Sequence, residues 1–213
     1  MEEFELKNYK NLENSFTSTD IFQEIVHLAA LGLTGLSWKK TRKGCEELLK
    51  NSVLHTLENK QDNALAGFIL AREISDKFFE ISFATHPKYQ GRGLAKSLIR
   101  EACRYFSKHK YLTATTQNAK VYFAVSKVTQ QILVPKLNDK NRFECLNEEA
   151  QYLLDEVASL RNLQISNTGV IKQHFRGNGL YLDNINEGIK NFPINSLKGD
   201  AILIIADNIF WGM

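Results

Sequence analysis

Phe83-Ala84-Thr85-His86-Pro87-Lys88-Tyr89-Gln90-Gly91-Arg92-Gly93-Leu94-Ala95 carries the sharpest change of pattern in the chain. A β-forming run stops at His86-Pro87, because proline cannot donate to a strand ladder and restricts the residue before it. Gly91 and Gly93 follow, and apolar residues then recur at helical spacing. Leu94, Leu98, Ala102 and Tyr105 form one row, with Ala95, Ile99, Cys103 and Phe106 beside it. Lys96, Arg100, Arg104 and Lys108 fall at spacing four on the opposite, solvated face. The stretch therefore reads as strand, glycine turn, amphipathic helix. First-turn amides of such a helix lack intrahelical partners and carry the positive end of its dipole. Glycines let a bulky anion approach the backbone with no Cβ in the way, so the turn suits a phosphate.

Upstream, Phe78 to Thr85 is the third of three apolar runs. Val53 to Leu57 and Ala64 to Ala71 precede it, and short polar turns join all three, which predicts an antiparallel meander. Before the meander, Asp20 with Gln23 three residues on marks a helix start. Phe22, Ile25, Val26, Ala29, Ala30 and Leu33 recur at helical spacing, with Gly32 and Gly35 at the end. A second helix is expected from about residue 40 to 50. The first fifteen residues are polar and charged, and read as a loose arm or a short edge strand.

Downstream, Tyr111 to Thr115 reads as a strand and residues 119 to 127 as a short helix. Leu146, Ala150, Leu153, Val157 and Leu160 mark a further helix with Asn147 as its cap. Gly169 to Phe175 and Ala201 to Ala206 look like strands. The last is apolar on both faces, hence central, and such a strand could be shared between subunits in a homodimer.

The chain has 213 residues, 43% hydrophobic and 24% charged, enough for one domain. Residues 1–213 are expected to form that single domain, with 1–17 the arm and 134–213 an extended part of the same sheet. No run approaches the roughly 18 apolar residues of a membrane span. The acidic start Met1-Glu2-Glu3-Phe4-Glu5 is wrong for a signal peptide. Cys45, Cys103 and Cys145 are odd in number with no C-x-x-C pair, which argues for reduced thiols in a cytoplasmic protein. The net charge of +3 is too mild to imply nucleic acid, and Lys39 to Lys43 reads first as a solvated helix start. The histidines His27, His55, His109 and His174 are scattered without ligand spacing, so no metal site is expected.

Two common phosphate turns are absent. No lysine and hydroxyl residue follow a G-x-x-x-x-G, and no G-x-G-x-x-G opens a βαβ unit. What stands there is Gln90-x-x-Gly93-x-Ala95 after a strand ending in x-x-Pro. This resembles the acyl-CoA-binding motif of the GNAT superfamily of N-acetyltransferases: Gln or Arg, two residues, Gly, one residue, then Gly or Ala. The order of elements over about residues 18 to 127 is similar to that family's as well. The resemblance implies a mixed α/β (α+β) fold, with a mostly antiparallel central sheet flanked by helices and splayed central strands.

It also implies an acetyl-CoA-dependent transfer of an acetyl group to a primary amine of a small molecule or peptide. Carried onto this sequence, Gln90, Gly91, Arg92, Gly93, Leu94 and Ala95 would hold the pyrophosphate. Phe83, Ala84 and Thr85 would meet the pantetheine arm, where the strand from Leu112 to Thr116 diverges and leaves backbone groups for an extended ligand. Direct attack needs a neutral amine, stabilisation of charge on the carbonyl oxygen and a proton for the leaving thiolate. Asn118 falls where the family places a cofactor contact. Tyr122 is the candidate acid, with core packing as its other reading. Glu80 is the candidate base on the motif strand, its register one residue off, with a surface carboxylate as its other reading. His86 is a further candidate beside the proline. Two departures stand out: Ser126-Lys127-Val128 replaces the family's Gly-Phe pair, and about 85 residues follow the helix. They keep a second function open, a non-catalytic acyl-CoA-binding or interaction module. A third, an acetyltransferase working on nucleic acid through Lys39 to Lys43, is opposed by the mild charge.

Overall fold

The computed structural model describes residues 2–10, 12, 14–32, 38–140, 142–172, 174, 194 and 200–213. Residues Met1–His109 with Phe210–Met213 form one compact unit, and Lys110–Ile209 a second.

In the first unit the edge strand is realised rather than the loose arm. Strand β1 (Phe4–Tyr9) pairs antiparallel with β2 (Val53–Asn59), followed by β3 (Leu65–Glu73) and β4 (Phe78–Thr85) in the expected meander. Helices α1 (Asp20–Gly32) and α2 (Trp38–Leu49) cover one face. Phe22, Ile25, Val26 and Leu28 of α1 and Cys45 and Leu49 of α2 join Leu54, Leu65, Phe68 and Leu70 in one buried cluster. Leu33 and Gly35, read as the end of the first helix, lie outside the described residues. Gly32, by contrast, closes α1 as expected. Arg42, inside the basic run, is a clamp rather than a free cation. Its guanidinium donates to Thr17 O at 3.0 Å, Gln23 Oε1 at 3.0 Å and Glu46 Oε1 at 2.9 Å, and lies over the Phe22 ring. A bulge between Leu57 and Glu58 shifts the β2–β3 register, and Glu24 of α1 accepts the Leu65 amide there at 3.0 Å.

Helix α3 (Leu94–Tyr105) covers the other face through Leu94, Leu98, Ile99, Ala102 and Cys103. Tyr105 departs from its apolar row. It stands 42% exposed in the last turn, against His55 and under Lys10. Phe106 instead carries the packing, stacked on Phe79 at 4.9 Å.

The second unit is built around β8 (Ala201–Asp207), whose residues Ala201 to Ala206 are completely buried. Strand β5 (Tyr111–Thr116) takes one edge; β6 (Ile132–Val134) and β7 (Val170–Ile171) pair with β8 as well, all antiparallel. The strand read from Gly169 to Phe175 is only two residues long, and residues 173 and 175 lie outside those described. Among the described residues β8 is paired by β5, β6 and β7 of its own chain. Helix α4 (Ala119–Ser126) follows β5, and α5 (Glu148–Leu160) packs against β6. Asn147 caps α5 as expected, its Oδ1 accepting from Ala150 N at 2.9 Å. Among the described residues no helix is long and apolar enough to cross a membrane.

Candidate functional site

The site starts where β4 stops. Phe83, Ala84 and Thr85 are only half-buried, unlike Phe78 to Ile81 of the same strand. Thr85 lies opposite Gly67 and Ala84 opposite Phe68. A Cβ on Gly67 would stand 3.1 Å from Ala84 O and 3.3 Å from both Leu98 Cδ1 and Thr85 Cγ2. Glycine therefore lets the strand end, its neighbour and α3 close on one another. The chain then turns sharply. His86 N donates to Ala66 O at 2.8 Å, and His86 Nδ1 accepts from Lys88 N at 3.2 Å, capping a single 3-10 turn over Pro87–Tyr89. That cap is the role the structure shows for His86.

Tyr89 anchors the turn. It is 2% exposed, meets the Phe4 ring edge-on, and its hydroxyl accepts from Asn59 Nδ2 at 3.4 Å. Gln90, Gly91, Arg92 and Gly93 are all exposed above it, and Leu94 turns back into the core. Gly91 and Gly93 have φ of 80° and 81°, a left-handed conformation that side-chain-bearing residues adopt only with strain. Nothing in the protein crowds a Cβ at either position, so conformation, not internal space, demands glycine there. Gly93 is the N-cap of α3 and provides no side-chain cap; the first intrahelical bond runs from Ser97 N to Gly93 O at 3.1 Å. The amides of Leu94, Ala95 and Lys96 precede that bond and point out of the helix start. Lys88 and Arg92 add positive charge, each set over the Tyr89 ring. Amides, dipole and cations together make a seat for an anion.

The second unit holds Asn118 and Tyr122. Asn118 N-caps α4, its Oδ1 accepting from Lys120 N at 2.9 Å while its own amide donates to Thr116 Oγ1 at 2.9 Å. Tyr122 is 9% exposed, and its hydroxyl donates to Pro135 O at 3.4 Å. Burial pushes its phenol above the usual tyrosine range, so it stays protonated at neutral pH. Glu80 is not the surface carboxylate the sequence also allowed. It is buried opposite Arg72 in the β3–β4 register, and Arg72 Nη2 and Nε donate to its Oε2 at 2.7 and 3.0 Å. Cys103 is fully buried in α3 and its thiol is pushed up to about 12, which rules out a ready nucleophile.

The acetyltransferase (GNAT) family model matches residues 28–123, a span that runs from α1 through the turn to Phe123. Over residues 28–123 the chain is similar to the GNAT acetyltransferases. None of the curated proteins matches the chain in sequence. Among solved structures, a ribosomal-protein-S5-alanine acetyltransferase from Vibrio fischeri is similar at 14% identity, over 100% of this chain and 97% of that one, with a TM-score of 0.52. A GNAT superfamily phosphinothricin acetyltransferase from Sinorhizobium meliloti in complex with AcCoA is similar at 12% identity, over 99% and 91%, with a TM-score of 0.50. These likenesses show the GNAT fold, a mixed α/β arrangement with a mostly antiparallel sheet flanked by helices.

The structure brings Phe83 to Ala95 and Glu80 together in the first unit, and Asn118 and Tyr122 in the second. Sequence reading missed Glu3, Asn59 and Gly67, which surround the turn without belonging to its motif. Only Gly67 left a signal, as a glycine inside an apolar strand. Among the described residues no group of His, Cys, Asp and Glu is arranged to hold a metal.

Proposed function

We propose that this protein is an acetyl-CoA-dependent N-acetyltransferase acting on a primary amine of a small molecule or peptide. The observation that carries the reading is the turn itself: paired left-handed glycines, an α3 start with three outward amides, and Arg92 and Lys88 beside it, inside the family match. The residues fit the group. Backbone amides from Gln90 to Ala95 hold the pyrophosphate, and the half-buried end of β4, Phe83 to Thr85, meets the pantetheine arm. When bound, acetyl-CoA supplies the acetyl thioester that the amine attacks. Asn118 contacts the cofactor from the start of α4. Tyr122, kept protonated by burial, donates a proton to the departing thiolate. The Arg72 pair gives Glu80 a structural part, so we assign deprotonation of the amine to solvent rather than to Glu80. The likeness to solved acetyltransferases over 99–100% of the chain supports reading residues 1–213 as one domain. An odd number of cysteines with no C-x-x-C pair supports a cytoplasmic setting.

Glu80's engagement with Arg72 favours a second reading, a non-catalytic acyl-CoA-binding module, and one experiment separates the two. Thermal shift with acetyl-CoA reports binding, and free-thiol release across an amine panel reports transfer. The enzyme reading expects both, and Tyr122→Phe should lower kcat on the order of 10²-fold with little change in binding. Binding without thiol release from any amine would favour the module. Equal turnover by wild type and Tyr122→Phe would make Tyr122 a packing residue.

A further inference from the structure

We propose that Glu3 is a built-in competitor for the anion seat: its carboxylate holds Arg92 until a phosphate of the cosubstrate replaces it. The proposal rests on the acetyl-CoA reading of the turn given above. Arg92 Nη1 donates to Glu3 Oε2 at 2.8 Å, across 89 residues of sequence. Arg92 stands between the two left-handed glycines and is the one cationic side chain within Gln90 to Ala95. Its guanidinium is therefore the one side-chain charge inside the motif turn itself.

Glu3 is fixed in this position by the fold. Its carbonyl accepts from Lys60 N at 3.0 Å, and its Oε1 accepts from Asn59 Nδ2 at 3.4 Å. The next residue, Phe4, is buried against Tyr89. The same Asn59 Nδ2 reaches the Tyr89 hydroxyl, so the ends of β1 and β2 and the base of the turn form one network. The Arg92–Glu3 pair sits at the open rim of that network, with side chains 47% and 41% exposed, where an incoming anion can reach it. A carboxylate and a phosphate compete for the same guanidinium face, and the phosphate brings more charge and more acceptor oxygens. Freeing Arg92 from Glu3 therefore subtracts from the affinity of any phosphate-bearing ligand. Because the pair is exposed, the subtraction is small but measurable.

Calorimetric titration of acetyl-CoA into wild type, Glu3→Gln, Arg92→Gln and the double variant tests this, at low and at about 0.5 M NaCl. Glu3→Gln should tighten Kd about two- to fivefold at low salt, the size of an exposed ion pair, with the gain fading at high salt. In the Arg92→Gln background, Glu3→Gln should change nothing. A purely structural role for Glu3, through Lys60 and Asn59, would instead persist in that background. Unchanged or weaker binding by Glu3→Gln, or an effect that survives loss of Arg92, overturns the competitor and leaves the acetyl-CoA reading standing. A wild type that binds no acetyl-CoA overturns both.

Discussion

The turn between β4 and α3 and the strand β8 are opposite uses of backbone. From Gln90 to Gly93 every residue is exposed, and the helix start beyond them leaves amides unspent. From Ala201 to Ala206 every residue is dry, and each edge of β8 is taken by a strand of its own chain. The turn has little apolar surface to hold it; its shape comes from Tyr89 beneath and Gly67 behind. The strand carries no chemistry; it supplies burial at roughly 25 cal/mol for each Å² of apolar surface removed from water. Binding capacity resides where backbone polarity is left unsatisfied, and stability where it is fully spent.

The largest effect expected from breaking this contrast is truncation after residue 134. It removes β7, α5 and β8, leaving the ladder edge of β5 and its apolar face without their partners. Insoluble protein is the expected result on expression and centrifugation. A soluble, cooperatively melting fragment 1–134 that binds acetyl-CoA would show that β8 is dispensable.

A smaller effect is expected at the turn. Gly93→Ala places a Cβ at φ 81°, with nothing in the protein to clash. The strain costs about 1–2 kcal/mol, read as a lower Tm, and acetyl-CoA affinity should fall as well because the left-handed turn sets the start of α3. The same substitution at Gly67 has ordinary backbone but real crowding, so it should lower Tm while disturbing β4 and α3 together. If Gly93→Ala leaves both Tm and affinity unchanged, the left-handed turn is not what the seat depends on.

The two regions also differed in how far the sequence exposed them. The β4 bounds, the α3 start and the meander were readable because their contacts are local: hairpin turns of a few polar residues, a proline stop and a 3.6-residue period. Asn147 was readable as a cap for the same reason. The partners of β8 were not, because β5 and β8 pair across more than ninety residues, Tyr111 with Asp207, and no local pattern encodes that choice. Two-residue β7 has too few residues to show a period. Within the site, the motif residues were legible and their supports were not. Glu3 and Asn59 reach Arg92 and Tyr89 only after the sheet has formed. Tyr105 was misplaced because spacing alone cannot tell how far the last turn of a helix turns out to solvent. Glu80 was read without its partner, since Arg72 faces it only through the β3–β4 register.

The smallest expected effect concerns acid. His55 is buried in β2, its Nδ1 2.6 Å from Asn8 Oδ1 and its Nε2 without a partner among the described residues, beside Tyr105. Desolvation holds it below the ordinary histidine value; Glu101 nearby opposes this and Lys10 adds to it. A depressed folded-state value means the unfolded chain takes up the proton more readily. His55 therefore favours the fold above its unfolded value of 6.5, and that contribution is lost as pH falls below it. Chemical denaturation of wild type and His55→Gln between about pH 7.5 and 5 should show the steeper loss in wild type. Parallel profiles would mean that His55 does not titrate on unfolding in this range.

Hydrogen exchange with and without acetyl-CoA reads the backbone amides of the turn themselves, and so whether they hold the ligand. Saturating acetyl-CoA should slow exchange chiefly at residues 91–96 and at the end of β4, residues 83–85, with β8 unchanged because it is already protected. Bound acetyl-CoA, verified by calorimetry in the same sample, with no slowing at residues 91–96 would contradict an anion seat at the turn.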